Sequence, residues 1–328
     1  MKKLVSSQPT LQAKRLKHAT QRRIEDCLLF LGFAHSWSQS KTRIKPALTR
    51  HVLIVYDKFV SHAPYPALTV QYQYVGKPNF MKLLILSDLH TEIATFPASS
   101  LPNAERYDVA VLAGDITTKG RSGNWASQNF TNPTVLVAGN HEAYDTSLQR
   151  AHRLIRRDAA PHVHFLERDV YVASGTRFIG CTAWSDLNAT GSPVIAAGRA
   201  RALMNDYRFI RFEPSFRRLS PFDTQLIAQE SRKWLYEEAS RPFDGKTVVV
   251  THHPPLDIFI PATGTHEHDR AAIGNHWPEF LDLPIDLWVF GHTHERVDTQ
   301  LGSTRFISNP RGYPDEEVNF DPYLIVEI

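Results

Sequence analysis

Histidine, aspartate and asparagine side chains recur at one kind of position in this sequence, directly after short apolar runs. Five stretches have this form, and they read SDLH from Ser87, GD from Gly114, GNHE from Gly139, THHPP from Thr251 and GHTH from Gly291. Imidazole nitrogens combined with carboxylate and amide oxygens, without thiolates, suit divalent metals such as Mn, Fe or Zn. We therefore interpret the five stretches as candidate ligands of a metal centre.

The candidate ligands are too many for one ion that keeps an open position and are about enough for two. An aspartate can bridge two ions with its two oxygens, and Asp115 is the natural candidate for that position. Two ions about 3.5–4 Å apart lower the pKa of a shared water and clamp the oxygens of an in-line displacement. Phosphoester hydrolysis is the reaction class that most needs both effects. Each stretch alone is also compatible with ordinary turn chemistry, so the interpretation depends on the whole ordered set.

A sheet whose strands end at one edge would bring these side chains together. The apolar runs that precede them are of strand length, and they cover residues 82–87, 108–113, 135–138, 246–250 and 285–290. In an open α/β sheet, ligands gather beyond the carboxyl ends of the strands. The sequence therefore predicts an α/β fold with the metal centre at the strand ends.

Helices are predicted beside these strands. One is expected across residues 146–157. Another begins at Ser220, because Pro221 follows it directly, Asp223 lies three residues on, and apolar residues recur at helical spacing up to about residue 240.

Further strands are predicted outside the five runs. Residues 163–184 predict short strands of an antiparallel meander with a turn at Ser174 and Gly175. Residues 305–308 and 323–328 predict closing strands.

Charge is distributed unevenly along the chain. Residues 1–80 contain 13 Lys and Arg against 3 Asp and Glu, whereas residues 81–328 contain 24 against 31. We therefore predict a basic, poorly ordered N-terminal extension over residues 1–80 and a catalytic domain over residues 81–328. A helix at 21–33 and a strand at 51–56 are the elements predicted in the extension, and a transit peptide or a nucleic-acid-binding arm is the alternative interpretation.

Cysteine content and hydropathy indicate the compartment. Cys27 and Cys181 are the only cysteines, which favours a reducing compartment over a disulfide framework, and hence the cytoplasm. No apolar run approaches the roughly 18 residues of a membrane span, so no membrane association is predicted.

The ordered set SDLH, GD, GNHE, THHPP and GHTH resembles the calcineurin-like metallophosphoesterase superfamily over residues 81–328, and all five blocks are complete. MNDYR from Met204 and NPRGY from Asn309 are also similar to a bacterial branch of phosphoesterases in that superfamily. The resemblance implies the metallophosphoesterase fold, a four-layer sandwich of two mixed β-sheets flanked by helices, with the metals at the strand ends.

The resemblance also implies a role for each of eight side chains. A first divalent ion would be held by one set and a second ion by another, with Asp115 as the bridge; the sets are Asp88, His90 and His294, and Asn140, His252 and His292. His141 matches the histidine that, in the family, steadies the transferring phosphoryl group or protonates the leaving oxygen. A metal-bridging hydroxide would attack phosphorus in line, and no covalent enzyme intermediate is implied.

The predicted function is therefore two-metal hydrolysis of a phosphomonoester or phosphodiester. A nuclease of the same chemistry, with nucleic acid guided by the basic extension, is one alternative, and a non-enzymatic scaffold on the same fold is another. A scaffold is expected to lose metal ligands, whereas this chain keeps them all. A small-molecule phosphoester is the expected substrate, and small diesters, cyclic nucleotides, nucleotide pyrophosphates and phosphoproteins all stay open.

Overall fold

The computed structural model describes residues 80–262 and 266–328, together with two short strands nearer the N-terminus. These strands, β1 (Ile54–Val55) and β2 (Gln71–Tyr72), pair antiparallel with each other.

The chain divides into two compact units, Met1–Lys77 and Pro78–Ile328. The helix predicted at 21–33 lies outside the described residues, and of the strand predicted at 51–56 only β1 is described. The predicted character of residues 1–80 stays a prediction.

The first sheet of the larger unit has five strands. Four of them are parallel and adjacent in chain order, namely β3 (Lys82–Leu86), β4 (Val109–Ala113), β5 (Thr134–Val137) and β6 (Val163–Phe165). The C-terminal strand β15 (Ile325–Glu327) pairs antiparallel with β3. Almost every side chain of β3, β4 and β5 is buried, as expected for parallel strands that are covered on both faces.

The second sheet has six strands in the spatial order β13-β14-β12-β11-β8-β7. Their bounds are β7 (Asp169–Ala173), β8 (Thr176–Cys181), β11 (Lys246–Thr251), β12 (Leu287–Phe290), β13 (Val297–Leu301) and β14 (Thr304–Ser308). The four central strands are parallel, and an antiparallel strand closes each edge. A separate small pair consists of β9 (Arg211–Phe212) and β10 (Arg217–Arg218).

In the described part of the chain, five α-helices accompany the sheets, and they are α1 (Ser122–Asn129), α2 (Leu148–Asp158), α3 (Pro193–Leu203), α4 (Asp206–Phe209) and α5 (Pro221–Ser240). Helix α5 starts where the sequence predicts, because Ser220 and Asp223 form a reciprocal capping box there. Single 3-10 turns lie at Ala98–Ser100, Ala104–Arg106, His141–Ala143, Asp257–Phe259, Glu267–Ala272 and Pro278–Asp282. Across the described residues, no helix is both long and apolar enough to cross a membrane.

Three apolar layers hold the sheets and helices together. The inner faces of the two sheets pack on each other, with Leu83 and Val111 of the first sheet in one cluster with Val289 of the second. The outer face of the first sheet packs on α1 and on Ile155 of α2. Leu235 of α5 packs on the outer face of the second sheet. This arrangement confirms the predicted sandwich of two mixed sheets flanked by helices.

The predicted meander over residues 163–184 is wrong in part. Strand β6 joins the first sheet parallel to β5, whereas β7 and β8 form a hairpin in the second sheet. Helix α2 lies between β5 and β6, and such a crossover connects parallel strands. The turn at Ser174 and Gly175 is as predicted, and both residues have positive φ, 46° and 78°, as a tight hairpin requires.

Candidate metal centre

The seven predicted ligands come together at the edge where parallel strands of both sheets end. They follow β3, β4 and β5 in the first sheet and β11 and β12 in the second. Five of them have a left-handed backbone with φ between 43° and 71°, namely Asp88, His90, Asp115, His292 and His294. Such a conformation costs a non-glycine residue about 1–3 kcal/mol and is concentrated at functional sites. The turns after the strands therefore hold the ligands in place at an energetic cost.

Asp88, His90 and His294 form the first group. His90 Nε2 lies 3.0 Å from His294 Nε2, and His294 Nε2 lies 3.7 Å from Asp88 Oδ1. The backbone N–H of His292 donates to Asp88 Oδ1, but Asp88 Oδ2 is buried without a hydrogen-bond partner. Burying an unpaired carboxylate oxygen is costly, and a cation is the group that would satisfy it.

Asn140, His252 and His292 form the second group. His252 Nε2 lies 3.1 Å from Asn140 Oδ1 and 3.2 Å from His292 Nδ1. Two nitrogens that bind one ion at about 2.1 Å in tetrahedral geometry lie roughly 3.4 Å apart. The spacing within this group is therefore close to that of an ion's coordination shell.

Asp115 lies between the two groups. Its Oδ2 is 3.4 Å from His252 Nε2 and 3.9 Å from His90 Nε2. Its Oδ1 accepts a hydrogen bond of 2.8 Å from the backbone N–H of His141. One oxygen is thus anchored to the loop after β5, while the other faces histidines of both groups.

The outward ring nitrogens of three of these histidines have acceptors of their own. His252 Nδ1 donates to Ala113 O at 2.9 Å, His294 Nδ1 contacts Glu316 Oε2 at 2.5 Å, and His90 Nδ1 contacts Glu92 Oε1 at 3.3 Å. When a neutral imidazole donates from one nitrogen, its other nitrogen presents a lone pair. In their neutral forms these three histidines therefore present inward lone pairs, and metal-binding histidines are oriented in this way.

Asp206 and Tyr144 fix the orientation of the Asn140 amide. Asn140 Nδ2 donates to Asp206 Oδ1 at 2.9 Å, and the Tyr144 hydroxyl donates to the same oxygen at 2.8 Å. Because a carboxylate only accepts, the amide nitrogen must face Asp206. The amide oxygen of Asn140 is consequently directed at His252.

Glu142 joins the loops that follow β4 and β5. Its buried carboxylate accepts hydrogen bonds from the backbone N–H groups of Asp115, Ile116 and Gly139, at 3.0, 2.9 and 2.7 Å. Burial and the neighbouring Asp115 charge raise the pKa of Glu142 to about 7. Glu142 thus holds the two loops together next to Asp115.

Charge coupling within the centre is strong. Burial lowers the pKa of His252, but the Asp115 carboxylate outweighs this effect and raises it to about 10. Burial raises the pKa of Asp115, and the His252 and His141 charges outweigh that effect and hold it well below its usual range. Burial and the charges of His253 and His252 hold the pKa of His292 well below its usual range. Metal binding requires neutral imidazoles, so an ion here would replace the proton that Asp115 stabilises on His252.

Glu92 and two tyrosines surround the His141 ring. Its Nδ1 lies 2.8 Å from Glu92 Oε1, its Nε2 lies 3.2 Å from the Tyr313 hydroxyl, and its ring stacks on Tyr144 with centroids 4.2 Å apart. Burial lowers the pKa of His141, but the Asp115 and Glu92 charges outweigh it and raise it to about 9. Bound cations would neutralise the Asp115 contribution and leave Glu92 as the carboxylate that favours the protonated ring.

The position of His141 also allows it to bind a metal ion. His141, His90 and Asp115 form a third group whose donor atoms lie close enough together to share an ion. The position of His141 is therefore compatible with an acid–base role and with a ligand role.

Three carboxylates were missed by the sequence reasoning. Glu92, Asp206 and Glu316 orient His141, Asn140 and His294 respectively. Glu92 lies two residues after His90, and Asp206 lies within the MNDYR stretch, so the sequence placed both beside singled-out residues. No pattern in the sequence indicates that these carboxylates contact His141, Asn140 and His294.

Comparison with known proteins is consistent with this geometry. The family profile described as calcineurin-like phosphoesterase matches residues 81–296. The chain belongs to this family, and it is a metal-dependent phosphoesterase. The histidine and aspartate groups are compatible with a dinuclear divalent metal site.

Two relatives illustrate how far the likeness extends. An uncharacterised protein of Acanthamoeba polyphaga mimivirus is 25% identical over 213 residues, which cover 58% of this chain and 72% of the viral protein. The phosphopantetheinyl hydrolase of Mycobacterium tuberculosis has a similar structure, with a TM-score of 0.56 and 19% identity over 71% of this chain and 90% of that one. At that identity, the second likeness supports the fold alone.

Proposed function

We propose that this protein hydrolyses a small-molecule phosphoester with two divalent ions. One ion would be held by the first group of side chains and the other by the second, with Asp115 bridging; the ligands are Asp88, His90 and His294, then Asn140, His252 and His292. The all-nitrogen-and-oxygen ligand set favours Mn, Fe or Zn.

The convergence of nitrogen and oxygen atoms that can bind a metal is the observation that carries this proposal. Inward nitrogens face each other at 3.0 Å and 3.2 Å, and the buried Asp88 Oδ2 has no partner. Facing lone pairs and carboxylate oxygens repel unless a cation or a proton lies between them. Two such places, joined by the Oδ2 of Asp115, favour two ions over one.

The chain's own residues would divide the catalytic work. When bound, the ions would lower the pKa of a shared water, so that hydroxide attacks phosphorus in line, and would neutralise charge on the phosphoryl oxygens. His141 would donate a proton to the leaving oxygen from Nε2, while Glu92 holds its Nδ1. The hydroxyl of Tyr313, 3.2 Å from that Nε2, would donate to the phosphoryl group.

Metal removal and reloading test the proposal. Protein loaded with Mn is expected to contain two ions per chain and to hydrolyse members of a panel of phosphomonoesters and phosphodiesters. The same protein after chelation should be inactive, and Mn should restore turnover. A single tightly bound ion, or full activity in excess chelator, would contradict the two-metal assignment.

A further inference from the structure

A row of aromatic rings leads from His141 to the surface. Tyr144 stacks on His141, with ring centroids 4.2 Å apart and an interplanar angle of 26°. Phe209 contacts the Tyr144 ring at a centroid distance of 5.7 Å. Phe209 keeps 46% of its surface exposed, so the row ends in an aromatic ring that is open to solvent.

Helix α4 attaches this exposed ring to the metal centre. Its first residue, Asp206, is buried and holds both Asn140 and the Tyr144 hydroxyl. Its last residue is Phe209, and the intervening Tyr207 is buried, with its hydroxyl hydrogen-bonded to Thr224. Helix α4 is thus anchored at its first two residues, and this places the Phe209 ring beside the Tyr144 ring.

The row of aromatic rings lies on the side of the site where the leaving group of the substrate would extend. His141 is assigned above to the leaving oxygen, so the group bonded to that oxygen extends along the side of the site where His141 lies. Tyr144 and Phe209 lie on that side. The Tyr313 ring lies closer to His90 and His294, at centroid distances of 4.6 Å and 4.8 Å, than to His141, at 6.1 Å.

We infer that Tyr144 and Phe209 form a subsite for a planar aromatic ring in the leaving group, such as an aryl group or a nucleobase. This inference rests on the proposed function, because it uses His141 to identify the leaving-group side. Aromatic pairs gain about 0.5–1.5 kcal/mol beyond the burial of their apolar area. A saturated ring of the same size buries similar area but lacks this gain.

Two esters that differ in planarity test the subsite. Methyl benzyl phosphate and methyl cyclohexylmethyl phosphate both release a primary alcohol carrying a six-membered ring, so bond reactivity differs little between them. The Mn-loaded full chain is expected to prefer the benzyl ester in kcat/KM by about two- to tenfold. Calorimetry with benzylphosphonate and cyclohexylmethylphosphonate should give the same preference in Kd.

Variants of Phe209 separate stacking from simple apolar contact. Phe209→Leu keeps an apolar side chain and Phe209→Ala removes it, and both should abolish the preference for the benzyl ester. Phe222→Ala is the matched control, because Phe222 is another exposed phenylalanine, at 66%, on α5. The control should retain the wild-type preference, and thermal unfolding should show that all three variants are folded.

The outcomes distinguish this inference from the proposed function. Failure of the Mn-loaded chain to hydrolyse any ester of the panel would contradict the proposed function and remove the inference with it, whereas hydrolysis of other esters but of neither of these two would overturn the subsite alone. Equal use of both esters would overturn the subsite alone, and so would a benzyl preference that Phe209→Leu retains. Loss of the preference in Phe222→Ala as well would also overturn the assignment to Phe209.

Discussion

The two oxygens of Asp115 have different surroundings. Oδ1 is held by the backbone N–H of His141, whereas Oδ2 faces His252 and His90. In Asp115→Asn, the amide oxygen would keep the hydrogen bond from His141, and the amide nitrogen would then face the histidines. With this neutral amide nitrogen in place of a carboxylate oxygen, the side chain could no longer bridge the two ions. The two cations would then repel each other without a negative charge between them.

Asp115→Asn is therefore expected to damage the enzyme more than replacement of any single histidine ligand. Both ions should bind more weakly, and turnover should fall further than in His90→Ala or His292→Ala. Metal content after dialysis and kcat with a simple diester measure this. The bridging assignment would be wrong if Asp115→Asn kept most of the activity while Asn140→Ala lost it.

The two possible roles of His141 predict different mutants. If His141 supplies a proton, His141→Ala should keep both ions and lose roughly 10²–10⁴ in kcat. The loss should be smallest with an ester whose leaving group needs no proton. Glu92→Gln should lower kcat in the same direction, because Glu92 holds Nδ1 at 2.8 Å.

Metal analysis of the same His141→Ala protein decides between these roles. Two retained ions with reduced kcat support the acid role. A protein depleted of one ion would instead place His141 in the third group, with His90 and Asp115.

At the scale of elements, the sequence predicts the metal ligands but not the side chains that orient them. Ligands such as Asp88 and Asp115 follow apolar runs directly, and the carboxyl ends of parallel strands meet at one edge. A local sequence pattern is therefore enough to predict that these ligands meet at one edge of the sheet. Asp206 reaches Asn140 from 66 residues away, and no local pattern predicts such a contact between a loop and a distant short helix.

The parallel strands also explain the error over residues 163–184. Strands β6, β7 and β8 have three, five and six residues, and periodicity alone does not tell which sheet each one joins. Helix α2 connects β5 to β6 and brings β6 parallel to β5. This pairing depends on tertiary packing and not on the local sequence.

Helix α4 gives a testable consequence at this scale. Asp206→Ala removes the acceptor that directs the Asn140 amide nitrogen away from the metal centre. Affinity for one of the two ions should fall about 10- to 100-fold, as for other groups that orient a metal ligand. Competition with a chelator of known affinity measures this for each ion.

Tyr144→Phe is the matched control for Asp206→Ala. It removes the hydroxyl that donates to Asp206 and accepts from Asn140 Nδ2 at 3.2 Å, but it leaves the shorter bond between Asp206 and Asn140, so it should weaken metal binding less. Equal losses in the two variants would show that the Tyr144 hydroxyl orients the Asn140 amide as much as Asp206 does.

For the whole molecule, the metal centre depends on the packing of two sheets. Asp88 and Asn140 follow strands of the first sheet, and His252 and His292 follow strands of the second. The apolar layer between the sheets, which includes Ile85 and Val289, therefore sets the distance between ligands of the same ion. Substitutions that create cavities in this layer should weaken metal binding as well as folding.

The predicted N-terminal extension, residues 1–80, contributes no described residue to the site. All described residues assigned to the site lie between Asp88 and Glu316, and β3 begins at Lys82. We therefore expect a protein that begins at Met81 to fold, bind two ions and hydrolyse small diesters with the kcat/KM of the full chain. The measurements are metal content, thermal unfolding and kcat/KM for both proteins at low and moderate salt.

Salt dependence then separates a phosphoesterase for small molecules from a nuclease. Residues 1–80 carry a net charge of +10, with 13 basic against 3 acidic residues, and such a segment accelerates the approach of a polyanion at low ionic strength. If nucleic acid is the substrate, the full chain should outperform the shorter protein on oligonucleotides, and this advantage should fade as salt rises. For a small diester we expect no difference at either salt concentration. An insoluble or metal-free protein from Met81 would instead show that the catalytic domain needs part of residues 1–80, and the strand predicted at 51–56 would be the first segment to restore.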